Sequence, residues 1–422
     1  MTWWAAPSCS HPLEATVQIP GSKSATARAL VLSSLADAPG SIRGGLAARD
    51  TDLMIAGLRV LGAGIDVLDP SSIRVSPIKS SQEPAVIECG LAGTVMRFLP
   101  ALAALGNVPI TFRGDAAASA RPMTPLLDAL RQLGATVVGE ALPCRVTGPI
   151  SGADVIIDSS ASSQFISALL LAAARFPQGL RLTHRGGTVP SLPHIDMTIA
   201  ALETRGVVVD HSGPDSHGDM TWQVGPQMIQ NIDEVIEPDL TTAAVFLAAA
   251  LVTGGWVVVP GWPSASTQPG TEVPHILEAM GGLTELDSQG LRVSGTGQIH
   301  GIDIDLHDTS ELTPVVAGLA ALAESETTIR GVAHIRGHET DRLAALSCEI
   351  NRLGGDCRET DDGLVIRPVP LHAGLVQTHA DHRMAHCAAL IGLRVAGVSL
   401  DDIGCTTKTM PGFATAWESL AL

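Results

Sequence analysis

Lysine is almost missing from this chain: Lys23, Lys79 and Lys408 are the three in 422 residues. The formal charge is −17 at pH 7. Both facts oppose nonspecific attraction to nucleic acid or to an anionic membrane surface, so the expected partners are small molecules, with no nucleic acid and no membrane. Long apolar runs are also lacking. The longest, Ala243–Val252, falls well short of the roughly 20 residues a membrane span needs. Met1-Thr2-Trp3-Trp4 offers no basic segment leading into an apolar one, so a cytoplasmic chain is expected. The seven cysteines show no CxxC spacing, and their odd number predicts reduced, mostly buried thiols without a disulfide framework. A Walker A loop is absent because Ser22 stands where Gly must precede the lysine, which leaves ATP binding unsupported. His382 and His386 are spaced i, i+4, but the Glu of H-E-x-x-H is missing, so no metal is expected.

Two of the three lysines fall inside motifs. Lys23 sits in Ile19-Pro20-Gly21-Ser22-Lys23-Ser24-Ala25-Thr26-Ala27-Arg28, directly before a long Ala/Leu-rich run. A small-residue turn exposes backbone N–H groups, the helix that follows adds the positive end of its dipole, and Lys23, Ser24 and Arg28 add donors on the same side. Such a layout can hold a phosphate. The scheme of strand, small polar turn and apolar helix returns near Gly93, Ser163, Thr242, Glu311 and Asp381. Counted from Ser24, the steps are 69, 70, 79, 69 and 70 residues. That period is too long for the common solenoid units of roughly 20 to 50 residues. It predicts six units, with the lengthened step dividing them into two compact domains of three near Glu237-Pro238. Within a unit, β-branched runs such as Thr136-Val137-Val138 and Gly206-Val207-Val208-Val209 follow second helical stretches such as Pro125–Leu133, giving a mixed α/β fold. Runs such as Ala243–Val252 are apolar all round, so the first helix of each unit should be wrapped by its own domain. The expectation is of buried helices whose six N-termini turn toward one shared cleft.

Basic residues collect at these turns and in short motifs: Arg97, Arg121, Arg342, Arg383 and Lys408. Arginine grips carboxylate or phosphate with a planar fork while lysine acts as a movable point charge, so substrates bearing both kinds of anion suit the mixture. Glu311 at a helix entry and Glu339 three residues before Arg342 are carboxylates that proton transfer could use; an exposed Glu at a helix start also stabilises the dipole by some tenths of a kcal/mol without any catalytic role. Cys89 and Cys387 read as core thiols.

Gly21-Ser22-Lys23-Ser24 with Arg28, Ala92-Gly93-Thr94 with Arg97, Ala120-Arg121-Pro122-Met123, Ser162-Ser163-Gln164-Phe165, Glu339-Thr340-Asp341-Arg342, Asp381-His382-Arg383-Met384-Ala385 and Lys408-Thr409, taken together in order from residue 17 to 413, resemble the EPSP synthase (3-phosphoshikimate 1-carboxyvinyltransferase) family of enolpyruvyl transferases. The resemblance implies a two-domain inside-out α/β fold, each domain three βαβαββ repeats with pseudo-threefold symmetry. It implies an N-terminal lobe of 21–237, a C-terminal lobe of 1–20 plus 238–422, and hinge crossings near 20 and 238. It implies that the enolpyruvyl group of phosphoenolpyruvate moves to the 5-hydroxyl of shikimate 3-phosphate, that phosphate leaves, that no cofactor is needed, and that the chain is a monomer whose lobes close on the substrates.

Carried over by motif, shikimate 3-phosphate would take Ser162, Ser163 and Ser191 at its phosphate, with Lys23, Ser24, Arg28, Gln164, Glu311 and His338 around the rest. Phosphoenolpyruvate would take Lys23, Gly93, Arg121, Gln164, Arg342, Arg383 and Lys408. Because the vinyl carbon gains a proton while the 5-hydroxyl loses one, an acid and a base are needed. Glu311 is the expected base, and Lys23 and Glu339 the two candidates for protonating carbon. The chain departs from the usual family pattern: Leu91 replaces Asn, Phe98 Pro, Glu311 Asp, His338 Lys and His194 Tyr. His338 thereby exchanges a permanent cation for a group that titrates near neutrality. Gly93 leaves room for glyphosate in the phosphoenolpyruvate pocket. The rival readings are a UDP-N-acetylglucosamine enolpyruvyltransferase, which resembles GAKN at the first turn and has a Cys in the loop that here surrounds Arg121, an RNA 3′-phosphate cyclase, and a noncatalytic anion-binding relative.

Overall fold

A computed structural model of the chain describes residues 3–79 and 83–421. The chain divides into two compact units, one formed by the segment up to Pro20 together with the segment from Glu237, the other by Gly21–Ile236. Each is built around three helices that pack against one another. In the Gly21–Ile236 unit these are Lys23–Leu35, Gly93–Ala103 and Gln164–Ala173; in the other they are Leu240–Thr253, Thr313–Ala320 and His382–Gly392. Leu240 through Val252 are all buried, as are Phe165 through Ala173. An all-apolar helix needs cover on every side, and the sheets supply it from outside.

The helix starts match the sequence period because the turn residues cap them. Ser22 accepts from Ala25 N, Asp239 from Thr242 N, and Asp381 from Arg383 N. A side-chain oxygen at this position takes one of the N–H groups that the first turn cannot bond internally. Gly93–Ala103 differs: its N-cap is Ala92 and no side chain caps it.

The sheets repeat one pattern. In the second, Ala85–Glu88 runs parallel to Ile110–Arg113, which pairs antiparallel with Cys144–Thr147, itself antiparallel to Thr136–Val138. The same order recurs through Asp154–Ile157, Leu180–His184, Met220–Val224 and Asp210–Ser212. It recurs again through Asp303–Asp305, Thr327–Arg330, Leu364–Arg367 and Asp356–Glu359.

Two first strands come from elsewhere in the chain, which corrects the simple reading of six consecutive copies. The fourth copy, read from the sequence as beginning at Val235, loses that strand: Glu234–Val235 pairs with Gly40–Arg43 and completes the first sheet. The fourth sheet receives Glu14–Thr16 alongside Trp256–Val259. The last sheet has three strands, with Trp4–Ala5 beside Val398–Leu400. A second correction concerns Val207–Val209, expected as strand. The strand begins at Asp210, because the Gln227 side-chain amide takes both Val208 N (2.9 Å) and Val208 O (3.0 Å) in place of a neighbouring strand.

Candidate active site

In the Gly21–Ile236 unit, the starts of the three central helices carry the cations read from the sequence. Lys23 Nζ donates to Asp50 at 3.5 Å, and that carboxylate is buried in the first turn of Arg49–Val60. Arg28, one turn further in, is buried and largely committed to the fold. Its Nη1 donates to Ser24 O (2.9 Å), its Nε to Thr198 Oγ1 (2.9 Å) and its Nη2 to His194 O (2.7 Å), so it ties the Lys23 helix to Pro193–Glu203. The Phe98 ring lies 5.5 Å from its guanidinium carbon. Burial lowers the Arg28 pKa to about 9.

The next two helix starts meet. A Cβ on Gly93 would come within 3.1 and 3.2 Å of the Arg121 nitrogens and 3.2 Å of Gln164 Oε1. Arg121 Nη1 also donates to Leu91 O at 3.3 Å, so it is the main chain of Leu91 that is used there. Arg97, buried with the Phe165 ring 5.2 Å away, donates from Nη1 to Gln164 Oε1 (2.7 Å) and to Ser162 Oγ (3.3 Å). Burial, with Arg121 adding to it, holds the Arg97 pKa well below its ordinary value. Ser163 is the buried N-cap residue of Gln164–Ala173. Ser191 is buried with φ 52, a left-handed conformation uncommon outside glycine and often found at functional positions.

The other unit pairs its cations with carboxylates. Arg342 opens Arg342–Arg352 and grips Asp381 through Nε (2.7 Å) and Nη2 (3.2 Å). Burial pushes the Arg342 pKa down, but Asp381 and Glu339 override that and raise it. Arg383 donates to Thr241 Oγ1 (2.8 Å) and Thr241 O (3.3 Å), at the start of Leu240–Thr253. Glu311 lies on the 3-10 turn Ser310–Leu312 that leads into Thr313–Ala320, and its charge acts on Arg342, Arg383 and His334. Burial holds His334 down to about 4, so this ring is neutral at pH 7.

Glu339 is the hub of the site in this unit. Lys408 Nζ donates to Oε1 at 2.6 Å, His382 Nδ1 to Oε2 at 3.0 Å, and Arg342 Nη2 stands 3.9 Å away. Burial raises the Glu339 pKa, yet His382, Lys408 and Arg342 together carry it well below the carboxylate range. Burial keeps His382 below its ordinary value despite Glu339, so the ring bonds as a neutral donor. Ligand atoms of Glu339, Asp381 and His382 lie within 4.8 Å of one another, as a metal site would require. The same two carboxylates already hold Arg342 and Lys408, so cationic side chains stand where a metal ion would have to enter.

His338 meets Arg342 through its ring. Arg342 Nη1 lies 3.0 Å from His338 Nδ1, and since a guanidinium only donates, Nδ1 must accept. The ring therefore meets Arg342 as neutral imidazole instead of adding a cation. Sequence reasoning also missed Asp50, Thr241 and the Glu339–His382 bond, and it read Asp381 as a turn and motif residue without its pairing to Arg342. Cys89, Cys144, Cys357 and Cys387 are buried and free, and burial pushes Cys89 and Cys387 up to about 12, as core thiols.

Two units of three βαβαββ modules around buried helices form the architecture seen in solved enolpyruvyl transferases. Two structures of EPSP synthase from Acinetobacter baumannii superpose with TM-scores of 0.80 and 0.79 at 22% identity, each over 99% of this chain and 98% of theirs. The enolpyruvyl transferase NikO from Streptomyces tendae follows at 0.74 and 17% identity, over 99% and 97%. The sequence pattern of the family described as EPSP synthase (3-phosphoshikimate 1-carboxyvinyltransferase) matches residues 8–417, and the chain belongs to that family. It is accordingly a transferase of the shikimate pathway, moving the enolpyruvyl group of phosphoenolpyruvate to the 5-hydroxyl of shikimate 3-phosphate with release of phosphate. No helix among the described residues is long and apolar enough to cross a membrane.

Proposed function

We propose a division of labour in which the Gly21–Ile236 unit supplies the ligands of the shikimate phosphate and the proton donor Lys23, and the other unit supplies the carboxylates that accept protons, Glu311 and Glu339. Ser162, Ser163 and Ser191 hold the 3-phosphate; Ser24, Arg28 and Gln164 hold the ring and its oxygens. Arg121, Arg342, Arg383 and Lys408 hold phosphoenolpyruvate, with Lys23 and Gly93 at both substrates.

One observation carries this reading. Arg28 and Arg97 are buried cations with no carboxylate partner among the described residues. A desolvated charge without a counter-ion is costly, and Arg97 Nη1 stands 3.3 Å from Ser162 Oγ, so its charge favours an anion at the serines given to the 3-phosphate. The other unit is arranged differently, since Asp381 and Glu339 already compensate Arg342 and Lys408.

The chemistry follows from charge and proton bookkeeping. The 5-hydroxyl oxygen bonds to C2 of phosphoenolpyruvate, giving its proton to Glu311, while C3 takes up a proton to become methyl; the product is a tetrahedral ketal. In the second half the methyl returns a proton as the C2–O bond to phosphate breaks, restoring the vinyl group. Lys23 is the better proton donor to carbon, because Glu339 is an ionised carboxylate that holds Lys408 and carries no proton to give. Arg121 and Lys408 stabilise charge on the departing phosphate. Glu339 can accept the methyl proton in the second half. The same proposal takes the chain as a cytoplasmic monomer that engages no nucleic acid, in keeping with its charge of −17.

The test is direct: the purified protein, shikimate 3-phosphate and phosphoenolpyruvate, without metal or nucleotide, assayed for phosphate and by mass spectrometry for the enolpyruvyl product. Turnover is expected. Product formed only when UDP-N-acetylglucosamine replaces shikimate 3-phosphate would reject this reading for the rival one.

A further inference from the structure

Ser162, Ser163 and Ser191 stand on two turns, residues 158–163 and 185–191, and one phosphate can meet all three only while the spacing of those turns is fixed. We infer that His184 fixes it and is a positioning residue for the 3-phosphate, acting through the serine turns. His184 ends the strand Leu180–His184 and is 2% exposed. Its ring joins the turns: Ser159 N donates to Nδ1 at 3.1 Å, and Nε2 lies 2.8 Å from Gly187 O. A backbone N–H can only donate, so Nδ1 accepts, and the ring hydrogen belongs on Nε2, which donates it to the Gly187 carbonyl. Each ring nitrogen is committed to one turn, and the rigid ring sets the distance between them.

The bonds run on from the ring to the serines. Ser159 O accepts from Ser162 N at 3.0 Å, so the residue held by His184 also closes the turn that carries Ser162. Ser160 lies against the other turn, since a Cβ on Gly187 would come within 3.1 Å of its Oγ. On the helix side a second link joins the same turns. Ser167 N donates to Ser163 O (3.1 Å), Ser167 Oγ to His194 O (3.3 Å), and His194 N to Ser191 O (3.0 Å). The turns are therefore tied at two points, by His184 at the strand end and by Ser167 within Gln164–Ala173. Ser191, left-handed at φ 52, lies in the chain between the tied residues Gly187 and His194, and such a backbone persists only where its surroundings hold it.

The inference rests on the placement of the 3-phosphate at these serines, and its test separates the two. In His184→Asn the amide oxygen still accepts from Ser159 N, but the shorter side chain does not reach Gly187 O, so only the tie between the turns is cut. KM for shikimate 3-phosphate should rise about tenfold, the order of one lost hydrogen bond, while kcat and KM for phosphoenolpyruvate stay within about threefold. A merely structural role would lower the melting temperature without dividing the two KM values. In a Ser191→Ala background the same substitution should raise KM for shikimate 3-phosphate less than about threefold, since residues that act as a unit are not additive. Gly187→Ala covers the case in which His184→Asn does not fold. It leaves the buried ring in place and presses a methyl on Ser160 Oγ, so KM for shikimate 3-phosphate should rise about fivefold with KM for phosphoenolpyruvate unchanged. Equal rises in the two KM values, full additivity with Ser191→Ala, or a wild-type KM for shikimate 3-phosphate in His184→Asn, or in Gly187→Ala where it takes that place, would overturn the inference. Wild-type KM in Ser162→Ala and Ser191→Ala by themselves would instead reject the placement of the phosphate.

Discussion

Replacing Glu339 by Gln tests the hub of the C-terminal unit, because it keeps the shape and removes only the charge. In the folded protein this carboxylate accepts from Lys408 at 2.6 Å and from His382 at 3.0 Å, with Arg342 at 3.9 Å. Hydrogen bonds to charged groups contribute about 1.5 to 3 kcal/mol each, and the amide keeps one acceptor oxygen. A loss of about 2 to 4 kcal/mol in unfolding free energy is therefore expected, read by urea denaturation at constant m-value. If Glu339 also accepts the methyl proton, kcat should fall by about 10² to 10⁴, while KM for shikimate 3-phosphate stays within a few-fold. The pH dependence gives an independent check. The folded Glu339 pKa lies well below 4.5, so its stabilisation is present above the ordinary carboxylate range and is lost as pH falls toward the folded value. His382 acts in the same direction: its folded pKa lies below 6.5, so on acidification the unfolded chain takes up a proton that the folded one refuses. In Glu339→Gln the stability loss below pH 4.5 should become shallower. A variant with wild-type kcat and an unchanged acid limb would refute the assignment of Glu339 as both holder and proton acceptor.

Gly93→Ala should leave stability within about 1 kcal/mol, since the atoms a Cβ would meet are the mobile ends of Arg121 and Gln164. Those ends must shift by some tenths of an ångström, so KM for phosphoenolpyruvate should rise about tenfold and inhibition by glyphosate should weaken more than that; steady-state kinetics with and without glyphosate decide it. Asp381→Asn keeps the cap on His382–Gly392 but leaves Arg342 without its buried partner, at a cost of about 3 kcal/mol or more, and Asp381→Ala should lose about 1 kcal/mol beyond that for the cap; denaturation of both variants measures the difference. Shikimate 3-phosphate at about 100 times its Kd should add about 2.7 kcal/mol to the stability of the protein, which a melting curve without and with ligand reads. Phe246→Ala should cost about 3 to 5 kcal/mol, since Phe246 is fully buried and meets Phe413 and Trp417 edge-on at 5.4 and 5.2 Å.

The six-unit repeat was legible because period and capping agree: Ser22, Asp239 and Asp381 mark helix starts whatever else surrounds them. The exchange of first strands was not legible in the repeat and entered only through the lobe bounds that the family resemblance implies. Glu234–Val235 and Glu14–Thr16 are two and three residues long, and nothing in so short a run states which sheet will accept it; that is decided by where the rest of the unit leaves an open edge. Val207–Val209 misled for a related reason, because β-branched composition describes a preference while the Gln227 amide supplies a competing partner. At the site, the residues that can touch anions were readable as types, since arginine and lysine at helix starts have few other uses. Their balancing groups were not. Asp50 belongs to the first turn of a different helix, and the bond from His382 to Glu339 joins residues 43 apart.

The two units solve the same electrostatic problem in opposite ways. A helix start that gathers arginines must either neutralise them internally or leave them for a ligand. Arg342 is neutralised by a two-pronged bond to Asp381, and Lys408 by Glu339; such cations are fixed in place, and part of their charge is already answered. Arg28 and Arg97 are answered only by carbonyls, hydroxyls and an amide. Those groups satisfy hydrogen bonds without cancelling charge, so the potential they leave is available to an incoming dianion. The compensated set suits a different task. There Glu339 is held ionised between Lys408 and His382, so the charges around it stay nearly constant. The acidic chain as a whole, at −17, makes the contrast sharper, since such a surface offers an anion little attraction elsewhere.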